Sequence, residues 1–238
     1  MSFFSIRKEI RWIIDPNSKG NFIKKLPADS KVLDIGCGHH SPKYFKFANP
    51  HIRYTGIDIE DFDLDEEDRE FADRLLFVDP DKFAATIASM PATFDAMVSC
   101  QNIEHVNAPE ECLQAMASAL KPGGTLYLSF PAEATLRFPK RKGTLNFHDD
   151  PTHQWMPQPG TIIAQMESAG CTVIRQTLRN RPLTGFILGA LTEPLSMLTR
   201  RVWAYTWHFW GFETILYFQK KQIPGESPHP AATTSDPG

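Results

Sequence analysis

Lys31-Val-Leu-Asp-Ile-Gly-Cys-Gly38 is the stretch from which the fold can be read. Strand-forming apolar residues lead into an acid and then into closely spaced glycines. A buried parallel strand ends this way when it runs into a tight turn whose backbone must approach a ligand. A second strand-like run, Tyr54-Thr-Gly-Ile-Asp58, ends in another acid, about twenty residues beyond the glycines, a separation that suits a carboxylate on the ribose hydroxyls of a nucleoside cofactor. The chain therefore reads as a nucleoside-cofactor enzyme.

Working outward, strand signals recur at 31–35, 53–58, 75–78, 94–99 and 124–130, with helical signals between them. The clearest helix is 109–120, with Pro109 in its first turn and apolar residues at 112, 113, 116, 119 and 120; Lys121-Pro-Gly-Gly124 ends it. A helix over 3–14, containing Trp12, is stopped by Asp15-Pro16. Residues 131–157 read as a long loop, 158–169 as a helix closed by Gly170, 171–176 as a strand and Glu213–Gln219 as the last strand. Alternation of this kind predicts the doubly wound, Rossmann-like α/β class. The expected organisation is one domain over 1–221, with an apolar helical insertion or lid over 182–212 and a disordered tail over 222–238.

With 238 residues, 42% hydrophobic and 22% charged, the chain can bury one sizeable core. A net charge of -3 offers no general attraction for nucleic acid. Cys37, Cys100, Cys112 and Cys171 lack the spacing of a zinc knuckle or a disulfide framework. The first residues carry charges where a signal peptide needs an apolar core, and no apolar run is long enough to span a bilayer, so the expected compartment is the cytoplasm.

Val32-Leu-Asp-Ile-Gly-Cys-Gly38, Gly56-Ile-Asp58, Phe94-Asp-Ala-Met-Val-Ser99, Ile103-Glu-His-Val106 and Leu120-Lys-Pro-Gly-Gly124 together resemble the ordered motifs of class I S-adenosylmethionine-dependent methyltransferases. The resemblance covers roughly residues 28–176 and continues faintly to 220. It implies a seven-stranded sheet in the order 3-2-1-4-5-7-6 with the last strand antiparallel, and S-adenosyl-L-methionine as cofactor. It also implies that Asp34 and the backbone of Gly36, Cys37 and Gly38 hold the amino-acid end of the cofactor and that Asp58, followed by Ile59, takes the ribose hydroxyls. Asp79 would lie near the adenine, although Phe77-Val-Asp-Pro-Asp81 offers a second acid there. Ser99, Cys100 and Gln101 would pass under the methionine portion. A dinucleotide dehydrogenase fits less well, because His39-His40-Ser41-Pro42 stands where that fingerprint needs a third glycine. His40 also departs from many methyltransferases, which often carry a glycine here.

Methyl transfer needs an aligned nucleophile, exclusion of water and, for a hydroxyl acceptor, removal of a proton. Glu104-His105 follows the fourth strand, and the polar loop Asn146-Phe-His-Asp-Asp-Pro-Thr-His-Gln-Trp155 follows the fifth. The loop is similar to those of small-molecule and saccharide O-methyltransferases of bacterial surface-glycan pathways. His105 or His153 is the expected general base, with Asp150 orienting an imidazole or binding the acceptor; His148 ranks behind them. Some relatives bind a divalent ion through Glu-x-x-Glu-His and a downstream His. Gln101 replaces the first of those glutamates, so no metal is expected, although Glu104, His105 and His153 could form a partial site.

The expected partner is a small-molecule or saccharide acceptor. N- or C-methylation of a metabolite such as a quinone precursor is the runner-up, and a non-catalytic cofactor-binding scaffold is the reading outside the enzymes. The apolar segment 182–212, with Trp203, Trp207 and Trp210 after Arg200-Arg201, reads as a lid or as an inserted helical pair at the sheet edge, open to a homodimer contact. Contact with a bilayer carrying a lipid-linked acceptor is the less favoured reading of the same segment.

Overall fold

The computed structural model describes residues 15–222. The helix expected over 3–14 lies outside the described residues, as does the expected tail beyond Gln222. In chain order the elements are α1 (Lys19–Lys24), β1 (Lys31–Ile35), α2 (Ser41–Ala48), β2 (Arg53–Asp58), α3 (Glu66–Phe71), β3 (Arg74–Phe77), α4 (Phe83–Ala88) and β4 (Phe94–Cys100). They continue with α5 (Pro109–Ala119), β5 (Leu120–Pro131), α6 (Pro159–Ser168), β6 (Cys171–Thr177), α7 (Leu183–Thr199), α8 (Thr206–Trp210) and β7 (Glu213–Lys220).

The strands form one seven-stranded sheet in the order β3-β2-β1-β4-β5-β7-β6. β1 pairs in parallel with β2 and β4, and β7 runs antiparallel to both β5 and β6. Alternation along β1 assigns its side chains to two layers. Leu33 and Ile35 join Met97, Leu126, Leu128 and α5 residues on one face. Val32 joins Tyr54, Val98, Tyr127 and Phe45 on the other. Both faces are covered, which explains why the parallel strands read as near-continuous apolar runs.

The fifth strand begins earlier than the sequence suggests. Leu120 already pairs with Phe94, and the register then shifts before Ala96 pairs with Thr125. Lys121-Pro-Gly-Gly124 is thus an irregularity within β5 as well as the end of the helix. Gly123 has φ +81°, and a Cβ on Gly124 would stand 2.9 Å from the Lys121 carbonyl oxygen. The expected long loop 131–157 is punctuated by single 3₁₀ turns at Glu133–Arg137 and Phe147–Asp149. The insertion between β6 and β7 is a helical pair: α8 packs on α7 through Gly185 and Gly189, where a Cβ on Gly185 would come within 2.9 Å of the His208 ring.

Candidate active site

The carboxyl ends of β1 and β4 diverge at the point where strand order reverses, and a cavity of about 1120 Å³ opens there. Gly36 adopts φ +82°, and a Cβ there would stand 2.8 Å from the Asn102 side-chain nitrogen. A Cβ on Gly38 would stand 2.7 Å from that of Phe62. The two glycines therefore let the turn pass tightly under Asn102 and Phe62. Asp58 completes the turn, accepting from the Gly38 amide at 3.1 Å and the Ile59 amide at 2.8 Å. Burial raises the Asp58 carboxyl above its ordinary range, against the lowering effect of those amides.

His39 and His40, which replace the third glycine, both take left-handed φ values of 54° and 58°. Their rings bond to acids beyond β2: His39 Nδ1 lies 3.0 Å from Asp63 in the loop before α3, and His40 Nδ1 lies 2.5 Å from Asp68 in α3. The turn that glycine would make freely is here held by side chains.

Gly36, Gly38, Asp58, Ile59, Cys100, Gln101, His105, Asp150 and His153 all line the cavity. Asp34, Cys37, Ser99 and Asp79 do not. Asp34 is buried behind the wall, accepting from Ser41 Oγ at 2.6 Å and from the Tyr54 hydroxyl at 2.7 Å. It ties β1, β2 and α2 together beneath the turn, and burial raises its carboxyl despite Lys19 and these bonds. Cys37 is also buried, its thiol pushed up by burial and by Asp34 and Asp58. Ser99 faces the interior with no partner for its hydroxyl among the described residues. Asp79 pairs with Lys82 at 3.1 Å on the exposed surface, and its neighbours Pro80 and Phe83 reach the cavity instead. His148 is exposed and is not part of the cavity lining.

At the other end, two loops are joined by hydrogen bonds. Gln154 donates its amide to the Glu104 carbonyl at 2.9 Å and its side chain to the His105 carbonyl at 3.0 Å. Trp155 Nε1 donates to the Ile103 carbonyl at 2.9 Å. This pairing brings the His105 and His153 rings to a centroid distance of 4.8 Å. His153 Nδ1 lies 2.6 Å from the Phe147 carbonyl, which can only accept, so Nδ1 carries the proton and Nε2 of the neutral ring is basic. His105 Nδ1 lies 3.0 Å from Thr152 Oγ1, whose hydroxyl donates to Asp150 Oδ1 at 2.5 Å. That chain likewise leaves His105 Nε2 as the basic nitrogen. Burial and the adjacent His153 hold His105 below the ordinary imidazole range. Asp150 stays below the usual carboxylate value because the Thr152 bonds outweigh its partial burial. Asp150 thus reaches the His105 ring through Thr152 rather than by direct contact.

Glu104 is fully buried beside these rings, and neither carboxylate oxygen has a hydrogen-bond partner among the described residues. Burial pushes its carboxyl up to about 8. One ligand atom each from Glu104, His105 and His153 lie within 4.8 Å of one another, so these residues could hold a cation, as could His40, Asp65 and Asp68, which are grouped in the same way.

Several lining residues escaped the sequence reading, among them Asp15, Lys19, Asn102, Asn180 and His208. Asn102 had a local signal, since it lies two residues beyond the fourth strand, and its Oδ1 is buried without a partner among the described residues. The others had none. Asn180 donates to Asp15 at 2.9 Å, and His208 Nε2 lies 3.4 Å from the same carboxylate. The segment before α1 and the β6–β7 insertion therefore meet at the cavity wall.

A family model described as a methyltransferase domain matches residues 12–176. The ubiquinone biosynthesis O-methyltransferase of Xanthomonas axonopodis pv. citri is 28% identical over 121 residues, 43% of this chain and 44% of that protein. Its counterpart in Idiomarina loihiensis is 31% identical over 107 residues, 42% of this chain and 41% of that protein. The chain thus spans less than half the length of these curated relatives. Among solved structures, a SAM-dependent methyltransferase from Archaeoglobus fulgidus superposes with a TM-score of 0.54 at 18% identity, covering 91% of this chain and 94% of that one. A methyltransferase from Mesorhizobium loti gives 0.54 at 15% identity, covering 82% and 94% respectively. These structural likenesses establish the shared fold.

Proposed function

The chain belongs to the class I S-adenosylmethionine-dependent methyltransferases, with S-adenosylmethionine as cofactor, and we propose that it methylates an oxygen of a small molecule or saccharide. Residues 1–221 would act as one catalytic unit, with 182–212 as its helical insertion. The observation carrying the oxygen assignment is the pair of imidazoles, His105 and His153, each keeping a basic Nε2 in the cavity lining. A sulfonium methyl needs no further activation, whereas a hydroxyl of high pKa gains from a base beside it.

In this reading the Gly36–Gly38 turn supports the amino-acid end of the cofactor, and Asp58 takes the ribose. Three features fit such a group: glycines whose Cβ atoms would meet Asn102 and Phe62, the unpartnered Asn102 oxygen, and the Asp58 carboxylate on the wall. Bound S-adenosylmethionine supplies the activated methyl group. The chain aligns the acceptor oxygen, keeps water out with Phe62, Phe83 and Trp207, and receives the acceptor proton on an imidazole. A role in surface-glycan synthesis belongs to the same proposal.

A second reading is an aromatic hydroxyl or other position of a quinone precursor. It is favoured by the likeness to ubiquinone biosynthesis O-methyltransferases and by Tyr44, Tyr127 and Phe212 in the cavity wall. The test has two parts. Calorimetry with S-adenosylhomocysteine, with Asp58→Ala as control, reads the cofactor site; S-adenosylhomocysteine release with saccharides, then phenols, then amines reads the acceptor. Turnover with hydroxyl acceptors that depends on His105 or His153 is expected. Adenosyl-ligand binding with turnover on amines alone would replace oxygen by nitrogen.

A further inference from the structure

The outer face of α7 carries no ionised side chain, and its apolar residues point away from the protein. Leu183, Ile187, Leu191, Leu195 and Leu198 follow one another at helical spacing, with Leu183 and Leu191 each 74% exposed and Leu198 83% exposed. The inner face is built the other way round. It buries Gly185, Gly189, Glu193 and Ser196, the small and polar residues of the helix. Glu193, the single charge in α7, is neutralised inside by both guanidinium nitrogens of Arg141, at 2.8 and 2.6 Å. A soluble helix normally buries its bulky apolar residues, because removing a leucine side chain from water is favourable. Here they are turned outward along 17 residues.

Cations gather at the C-terminal end of this face. Arg200, Arg201 and Lys142 follow the helix, joined by the Lys142–Arg201 backbone bridge, whereas Arg179 and Arg181 before it are turned to the Phe209 and Trp210 carbonyls at the end of α8. Arg200, Arg201 and Lys142 are exposed and make no ion pair among the described residues. Trp203 stands at the same end, 43% exposed, with its indole nitrogen donating to Thr199 at 2.8 Å.

We propose that the outer face of α7, with the Lys142–Arg200–Arg201 cluster, docks this protein on the surface of an anionic lipid bilayer, the helix lying in the interfacial plane. An apolar face flanked by arginines and an indole has the chemistry of an interfacial helix. No described helix is long and apolar enough to cross a membrane. Charge selects the bilayer over a second copy of the chain. Pairing two such faces in parallel sets one Lys142–Arg200–Arg201 cluster against the other, whereas acidic headgroups complement the cluster. Trp207, on the helix packed against α7, lines the cavity, so docking would bring the membrane beside the active site. The inference is independent of the acceptor's identity and reverses the preference drawn from the sequence, which could not tell which face of 182–212 is turned outward.

The full chain is floated with vesicles of phosphatidylcholine alone and of phosphatidylcholine with phosphatidylglycerol. Co-flotation with the anionic vesicles is expected, with partition about tenfold lower on neutral ones and falling as salt rises. The double variant Leu191→Glu/Leu198→Glu should lose about tenfold on anionic vesicles, and Arg200→Glu/Arg201→Glu should bring anionic partition down to the neutral level. The substituted side chains are exposed, so melting followed by circular dichroism should match the parent. Protein left at the bottom of the anionic gradient, or undiminished partition of the leucine variant, overturns the proposal. So does light scattering that finds, without vesicles, a dimer that the leucine variant converts to monomer.

Discussion

The His105 and His153 rings meet at a centroid distance of 4.8 Å because Gln154 and Trp155 are hydrogen-bonded to the backbone of Ile103, Glu104 and His105. The pair is thus brought together chiefly by bonds from Gln154 and Trp155 to the main chain of the facing loop, to which the His105 ring adds its contact with Thr152. Replacing either histidine by alanine should leave this framework intact and S-adenosylhomocysteine affinity unchanged in calorimetry. The variant lacking the base should lose about 10²–10⁴-fold in kcat. Full turnover in both variants would show that neither imidazole takes the proton.

The pH profile should carry the same signature. His105 is held below the ordinary imidazole value by burial and by His153. If it is the base, kcat/KM should rise with pH through an apparent pKa below about 6.5. Asp150 and the Thr152 bond pull in the opposite direction, favouring the imidazolium. Asp150→Asn should therefore move the acid limb to still lower pH. A limb that stays in place would separate Asp150 from the base.

Glu104 has a folded-state value of about 8 through burial, well above the roughly 4.3 of an unfolded chain. A raised value means that its contribution to stability is fully present below about pH 4.3 and is lost as pH rises toward 8. Glu104→Gln removes the titration. The difference in Tm between variant and parent should grow in the variant's favour across that window, and differential scanning calorimetry at several pH values reads it. A constant difference would mean that Glu104 is ionised in the folded protein.

Gly38→Ala places a methyl group 2.7 Å from the Phe62 Cβ. Overpacking of this kind costs about 1–3 kcal/mol, and the displaced turn should weaken S-adenosylhomocysteine binding at least tenfold. Phe62→Gly in the same chain removes that Cβ and should recover part of the affinity by opening space for the methyl group. Equal affinity in Gly38→Ala and the parent would mean that the close approach has no bearing on the ligand.

The Arg141–Glu193 pair is buried on both sides and also engages Ser196 and Trp210. Arg141→Met leaves Glu193 unpaired inside the protein and should cost about 3–5 kcal/mol, read as a lowered denaturation midpoint. Arg141→Met with Glu193→Leu should cost much less, because no buried charge is then left alone.

The central architecture was legible because its signals are local. Strand runs, the helix over 109–120, the Gly36–Gly38 turn and the acid at Asp58 are each a periodicity or a turn preference within a few residues. The limits of that reading also have a physical cause. Asp34 near the end of β1 and Asp79 after β3 occupy the expected places in the chain, but the first is turned inward to Ser41 and Tyr54 and the second outward to Lys82. Neither orientation is encoded by the residue's place in a motif.

By itself the sequence determined the doubly wound sheet, the glycine turn with Asp58 across it, and the two loops that bear His105 and His153, since these follow from backbone preference and apolar period. Tertiary structure alone decided what depends on closure between distant segments. It buried Glu104 without a partner, linked Asp150 to His105 through Thr152, and brought Asp15, Asn180 and His208 to one wall. It also turned the leucines of α7 outward, because Arg141 draws Glu193 inward and Gly185 and Gly189 let α8 pack on the opposite face. Each outcome was set by which surfaces met when the sheet closed, and no local preference in the chain specifies that meeting.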